Sequence, residues 1–295
     1  MKKIQILLFL SLTLIVFGQT KQNVLTDKIE KILKDKKANV GVSIIENNNK
    51  KIIDIKGNNL FPMLSTVKFP IALTILDKVQ KGELSMQQKI YIKREELLDD
   101  PTNWSPFKEK HPNGNLYITL EEALSWMVSY SDNNLTDILL RLIGGPQTVQ
   151  KFINSTNFII KNDEEDMHKD WDSQFINKIT PNEATKLLSK FNKGQILNKT
   201  NTKWLYDAML NNASGGNRIK GKLPKGTKIA HRTGTSFTND NGMTGAINDM
   251  GIIELPNKKK IIICVLVNDT YENFKDSEMI IADIAKVTYD YYSEK

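Results

Sequence analysis

Apolar positions recur at helical spacing near the start of the chain, where Val24, Leu25, Ile29, Ile32 and Leu33 sit among Lys, Asp and Glu and predict a surface helix over 23–37. Two β-branched runs follow, Asn39–Glu46 and Lys51–Lys56, and Asn47-Asn48-Asn49-Lys50 between them predicts a hairpin. Residues 65–79 read as a strongly apolar helix, with Pro70 tolerable only near its start. Residues 80–118 are polar with scattered Pro, Gly and Asn, and read as loops with short pieces of strand or helix. Thr119-Leu120-Glu121-Glu122 is a helix-start signature leading into Ala123–Ser129. Asn133–Ile143 continues as helix and stops at Gly144-Gly145-Pro146, and Thr148–Asn154 adds a turn or two. Residues 161–175 are charged and lack a hydrophobic period, so they form a loop. Helices follow from Thr180-Pro181-Asn182-Glu183 to Phe191 and over Asn201–Leu210.

After Ser214-Gly215-Gly216 the period changes from helical to alternating. Lys228–Arg232, Ala246–Leu255 and Lys260–Val267 read as strands, and Ser277–Tyr292 as a closing helix. Strands with a helix at both chain ends predict an α/β (α+β) fold, in which the sheet is formed from both termini and a helical block is inserted. The expected division is a sheet unit of 19–61 and 212–295 and an all-helical unit of 62–211, with a site between them.

Composition adds constraints. The chain has 295 residues, 40% hydrophobic and 25% charged, enough for a sizeable core. Its formal charge of +7 is spread along the sequence with Asp and Glu between, and lacks the basic blocks that grip nucleic acid. Lys2 and Lys3 precede an apolar run, Ile4 through Phe17, then Gly18 and Gln19. That is the layout of a secretory signal peptide over 1–18, too short for a comfortable membrane span, so an exported, periplasmic protein with no stable membrane anchor after cleavage is expected. The single cysteine, Cys264, lies in an apolar strand and reads as a core residue. His111, His168 and His231 are far apart and form no H-x-H or H-E-x-x-H arrangement, so no metal and no cofactor are expected.

Chemistry gathers at the junctions. Ser65-Thr66-Val67-Lys68 opens the apolar helix and puts a hydroxyl and an amine one turn apart on one face. A base beside a serine makes it a nucleophile, and a helix start offers backbone N–H groups to an oxyanion. A second S-x-x-K, Ser105-Pro106-Phe107-Lys108, lacks an apolar helix behind it. Ser131-Asp132-Asn133 lies in the break between two helices, where a hydroxyl and an amide can share a cleft or a side chain can simply cap the next helix. Arg232-Thr233-Gly234-Thr235-Ser236 closes a strand with a cation, hydroxyls and a glycine, which suits a ligand carboxylate lying along it. Asp163-Glu164-Glu165-Asp166-Met167-His168 is an acidic cluster that is either solvated or supplies a general base.

The ordered set S-x-x-K, S-D-N, an acidic loop and [KR]-T-G resembles the class A serine β-lactamases from about Lys21 to the C-terminus. Glu164-Glu165-Asp166-Met167-His168, Ala230 through Ser236 and Asn217-Arg218-Ile219-Lys220-Gly221 look most like the PER- and VEB-type extended-spectrum branch. The resemblance implies an antiparallel sheet and hydrolysis of penicillins and cephalosporins, including extended-spectrum cephalosporins, through a serine acyl-enzyme, by a monomer acting on a small β-lactam substrate. It implies Ser65 as nucleophile, Lys68 as its activator and Ser131 as the proton carrier to the lactam nitrogen. Backbone N–H groups of Ser65 and Thr235 would form the oxyanion hole. Asn133 would hold the substrate amide, and Arg232 and Thr233, with Thr235 or Ser236, the carboxylate. Glu164 would activate the deacylating water. Either Lys68 or Glu164 takes the first proton.

Four positions depart from the common family pattern. Arg232 stands where Lys is usual, and His168 where many members have Asn beside the water. Thr244 stands where many carry a carboxylate-binding Arg, which makes Arg218 the substitute. The loop Thr238–Met243 is longer, which would widen the site for bulky cephalosporins. Two other activities use the same serine: a D-Ala-D-Ala peptidase, which lacks a carboxylate in the role of Glu164, and a β-lactam sensor, which would be tethered beside a signalling module.

Overall fold

A helix, a pair of antiparallel strands and the Ser65 segment follow one another at the start of the computed structural model, which describes residues 24–46 and 51–293. The leader and the turn 47–50 lie outside the described residues. Residues 24–33 form α1, followed by β1 (Asn39–Glu46), β2 (Lys51–Ile55) and the short β3 (Phe61–Pro62). A 3₁₀ turn, Leu64–Val67, then feeds α2 (Lys68–Gln80), so Ser65 lies in the tight turn just before the α-helix proper. Ten consecutive residues of α2, Lys68 to Asp77, are buried. That is the behaviour of a helix apolar all round, at the centre of a helical layer.

The polar stretch after α2 holds β4 (Lys89–Ile92), α3 (Pro106–Lys110) and β5 (Leu116–Thr119), with β4 and β5 paired antiparallel. Ser105 of the second S-x-x-K is the cap of α3, accepting the Lys108 N–H at 3.3 Å. Helices α4 (Leu120–Tyr130), α5 (Asn133–Ile143) and α6 (Pro146–Ile153) follow, and Gly144 ends α5 at φ 92°, a left-handed conformation that favours glycine. Strand β6 (Phe158–Ile159), the single-turn α7 (Glu164–Met167) and β7 (Lys178–Ile179) form the acidic loop and its flanks. Helices α8 (Pro181–Asn192) and α9 (Lys199–Leu210) complete the block, with Thr180 capping α8 through the Glu183 N–H as its sequence implied.

The chain then supplies β8 (Ile229–Thr235), β9 (Thr244–Glu254), β10 (Lys260–Thr270) and α10 (Phe274–Ser293). The five-stranded sheet runs β2-β1-β10-β9-β8, each adjacent pair antiparallel, so the two chain ends meet at the β1–β10 pair and β8 is an edge. Strand β10 explains its unbroken apolar sequence. Ile262, Cys264 and Leu266 face the core shared with α2 and α8, while Ile261, Ile263, Val265 and Val267 face α1 and α10. A period of two therefore buries both faces. Cys264 is fully buried, and burial pushes its thiol up.

Candidate active site

Ser65, Lys68, Asn133 and Glu164 meet at one ammonium group. Lys68 Nζ donates to Ser65 Oγ at 2.8 Å, to Asn133 Oδ1 at 2.9 Å and to Glu164 Oε1. The lysine is fully buried, and burial lowers its pKa although the Glu164 charge opposes this. Leu64, just before Ser65, holds φ 47°, so the backbone is strained at the turn that carries the serine.

Both readings of Ser131-Asp132-Asn133 hold, divided among its residues. Asp132 caps α5 through the Leu135 N–H at 2.9 Å. Its other oxygen ties down Ser105 Oγ at 2.9 Å and the Phe107 N–H at 2.8 Å. Ser131, left-handed at φ 63°, and Asn133 are thereby presented to a cavity of about 700 Å³. Ser65, Glu164, His168, Thr233, Gly234, Thr235 and Ser236 also line it, with Trp104 and Phe237 exposed at its mouth.

The acidic loop is pinned from two sides. Asn177 Oδ1 accepts the N–H groups of Lys161 and Asn162 at 2.8 and 3.0 Å, and its carbonyl accepts the Met63 N–H at 2.8 Å. On α5, Asp137 Oδ1 accepts the Glu164 N–H at 2.7 Å and Oδ2 the Glu165 N–H at 2.9 Å. Burial, helped by the Glu164 charge, pushes the Asp137 carboxyl up to about 8. His168 Nδ1 lies 2.6 Å from the Glu164 carbonyl oxygen, which keeps the ring against α7. Glu164 is buried whereas Glu165 is exposed, which favours Glu164 as the inward carboxylate.

Strand β8 forms the opposite wall. Arg232 is fully buried and does not line the cavity; its Nη1 lies 3.4 Å from Asn212 Oδ1, and its Nε and Nη2 have no protein partner among the described residues. Burial lowers its pKa to about 10, against the charges of Glu164 and Asp249. Arg218 reaches the same strand from outside: Nη2 donates to Thr235 Oγ1 at 2.7 Å, Nη1 to the carbonyls of Gly234 and Asn248 at 3.0 Å, and Nε to Glu278 at 3.1 Å. It therefore braces Thr235 from below. Ser236 Oγ accepts the Ala246 N–H at 2.7 Å. Thr244 is buried at the start of β9, its hydroxyl 2.7 Å from that of Thr238, and closes the base of the loop to Met243.

Asp137, Asn177, Asn212 and Asn248 were not singled out from the sequence. Only Asp137 carries a local signal, standing one helical turn after Asn133 on the same face.

Residues 23–292 match the Beta-lactamase enzyme family. Beta-lactamase VEB-1 of Pseudomonas aeruginosa is 46% identical, covering 100% of this chain and 99% of its own. Extended-spectrum beta-lactamase PER-1 of the same organism is 33% identical over 92% of this chain and 88% of its own. The crystal structure of TLA-1 extended-spectrum beta-lactamase superposes with a TM-score of 0.89 at 44% identity, covering 92% of this chain and 99% of that one. The antiparallel sheet with its helical insertion is thus shared, and the chain belongs to the beta-lactamase enzyme family, on the class A branch with VEB-1 and PER-1.

Proposed function

We propose that this protein hydrolyses β-lactams through an acyl-enzyme on Ser65, with Glu164 driving release. The observation that carries this is the buried Lys68 ammonium, shared among Ser65, Asn133 and Glu164. Burial favours the neutral amine, a base able to accept the serine proton directly; Glu164 can accept it through a water. Ser65 Oγ then bonds the lactam carbonyl carbon, and N–H groups of Ser65 and Thr235 receive the oxyanion. Ser131 passes a proton to the lactam nitrogen as the C–N bond breaks. Asn133 holds the substrate amide, and Thr233, Thr235 and Ser236 take its carboxylate within the field of Arg232 and Arg218. In the second half, Glu164 removes a proton from water, which cleaves the ester and returns the proton to Ser65. His168 holds the loop that presents Glu164.

The wide cavity, its aromatic mouth and the loop Thr238–Met243 support action on extended-spectrum cephalosporins as well as penicillins. Steady-state hydrolysis of benzylpenicillin and an oxyimino-cephalosporin checks both claims. The wild type turns over both, with kcat/KM values within about tenfold of each other, and Ser65→Ala turns over neither while keeping its circular dichroism. Hydrolysis by Ser65→Ala contradicts the nucleophile; a cephalosporin turned over far more slowly contradicts the spectrum.

The enzyme works as an exported, periplasmic monomer that takes the β-lactam alone, without metal, cofactor or nucleic acid. No described helix is long and apolar enough to cross a membrane. N-terminal sequencing of the mature protein checks cleavage near Gly18, and sedimentation checks the monomer. Residues 19–61 and 212–295 act as the sheet unit and 62–211 as the helical unit. Entry of Ser65 and Glu164 from one and Thr235 from the other supports a site in the seam.

A further inference from the structure

Behind the β8 wall lies a line of polar side chains that the steps above leave unused. Asp249 on β9 and His231 on β8 are fully buried, and His231 Nδ1 lies 2.9 and 3.0 Å from the two Asp249 oxygens. Asp249 Oδ2 also accepts the Ile219 N–H at 3.1 Å. His231 Nε2 meets Asn212 Nδ2 at 3.2 Å. Asn212 Oδ1 faces Ser214 Oγ at 2.9 Å, Ser214 N at 3.3 Å and Arg232 Nη1 at 3.4 Å. Ser214 Oγ lies 2.6 Å from Thr233 Oγ1, where the line reaches the cavity.

Donor arithmetic gives this line a direction. The Ser214 N–H and the Arg232 guanidinium can only donate, so they fix the Asn212 oxygen on their side. The Asn212 amide nitrogen then faces two acceptors, the Ser214 carbonyl at 3.2 Å and His231 Nε2. His231 accordingly carries its proton on Nδ1, toward the Asp249 carboxylate. Because the Ser214 N–H and Arg232 also face Asn212 Oδ1, the Ser214 hydroxyl can turn its one proton from Asn212 to Thr233, which leaves the Thr233 proton for the substrate carboxylate. Among the described residues, Asn212 Oδ1 is the one hydrogen-bond partner of the Arg232 guanidinium.

We propose that Asp249, His231, Asn212 and Ser214 are positioning residues that hold the Thr233 hydroxyl and the Arg232 guanidinium in place for the substrate carboxylate. This rests on the β-lactamase reading above. Orienting these groups before binding removes an ordering cost that would otherwise fall on the carboxylate-bearing substrate. A substrate without that charge gains nothing from the line.

The test compares a chromogenic cephalosporin with the methyl ester of its ring carboxylate, on wild type, Asn212→Leu and Ser214→Ala. Asn212→Leu keeps the volume and cuts the line in the middle; Ser214→Ala cuts it at the half-buried cavity end, where folding is not at stake. Both variants are expected to lose about tenfold to a hundredfold in kcat/KM for the acid, chiefly through KM, and less than about threefold for the ester. Asn212→Asp, which keeps an acceptor toward Ser214 and Arg232 but sets its second oxygen against the Ser214 carbonyl and His231 Nε2, recovers only part of the loss. Equal losses on acid and ester, or no loss on either in Ser214→Ala, overturn the proposal alone. A wild type that hydrolyses neither compound removes the reading of the site and the proposal with it.

Discussion

At the scale of single residues, position relative to water decides the chemistry. Lys68 resembles the exposed lysines in composition only; buried against Ser65 and Glu164, its charged form is disfavoured, which suits the proposed role of proton acceptor. Asp137 is the less obvious case, since it touches no reacting group but carries the backbone of Glu164 and Glu165 on its two oxygens. Its carboxyl titrates near 3.8 in the unfolded chain and about 8 in the folded one. Between those values the folded chain holds a proton that the unfolded chain has released. Its contribution to stability is therefore complete below the lower value and lost as pH rises through the upper one. Denaturant unfolding between about pH 5 and about pH 9 is thus expected to show the wild type losing stability relative to Asp137→Asn as pH rises. A difference that is flat or grows with pH contradicts the burial argument.

At the scale of elements, the sequence was most readable where a cap or a period is local. Thr119 caps α4 and Thr180 caps α8 through the third N–H, as expected from residues three apart. The pairs β3–β7 and β6–β7 were not legible, because two residues carry no period and the pairing follows from loops pinned by Asn177. Strand β8 was expected to end at Arg232 but runs to Thr235, because Thr233, Gly234 and Thr235 still pair with Asp249, Asn248 and Ile247 of β9. The glycine in that extension is required by packing. A Cβ on Gly234 would stand 2.4 Å from the Met63 carbonyl oxygen, in backbone that cannot yield cheaply. Gly234→Ala should push β8 away from the Ser65 turn, destabilising the fold by about 1–3 kcal/mol and lowering kcat about a hundredfold. Thermal unfolding and single-turnover acylation measure the two; an unchanged acylation rate would show that the close approach has no catalytic role.

Across the whole molecule, the candidate site is assembled from parts far apart in sequence, which is why its supports were hidden. Asn248 on β9 donates to the Pro62 carbonyl at 2.8 Å and the Met63 carbonyl at 3.2 Å, and accepts the Val267 N–H at 3.1 Å, joining the sheet to the Ser65 turn. Ser43 and Thr185 make a second buried link at 2.8 Å, between β1 and α8. No local pattern announces such partners, whereas S-x-x-K, S-D-N and R-T-G are short enough to read directly. The central claim is that this assembly divides the work, Ser65 forming the ester and Glu164 releasing it. The most direct test is intact-mass analysis of Glu164→Ala seconds after mixing with benzylpenicillin, with peptide mapping of the modified chain. One penicilloyl adduct per chain, persisting on Ser65 while the wild type is already free of adduct, is the predicted result. A variant that stays unmodified while releasing product as fast as the wild type would contradict it, and would move the release step to another carboxylate.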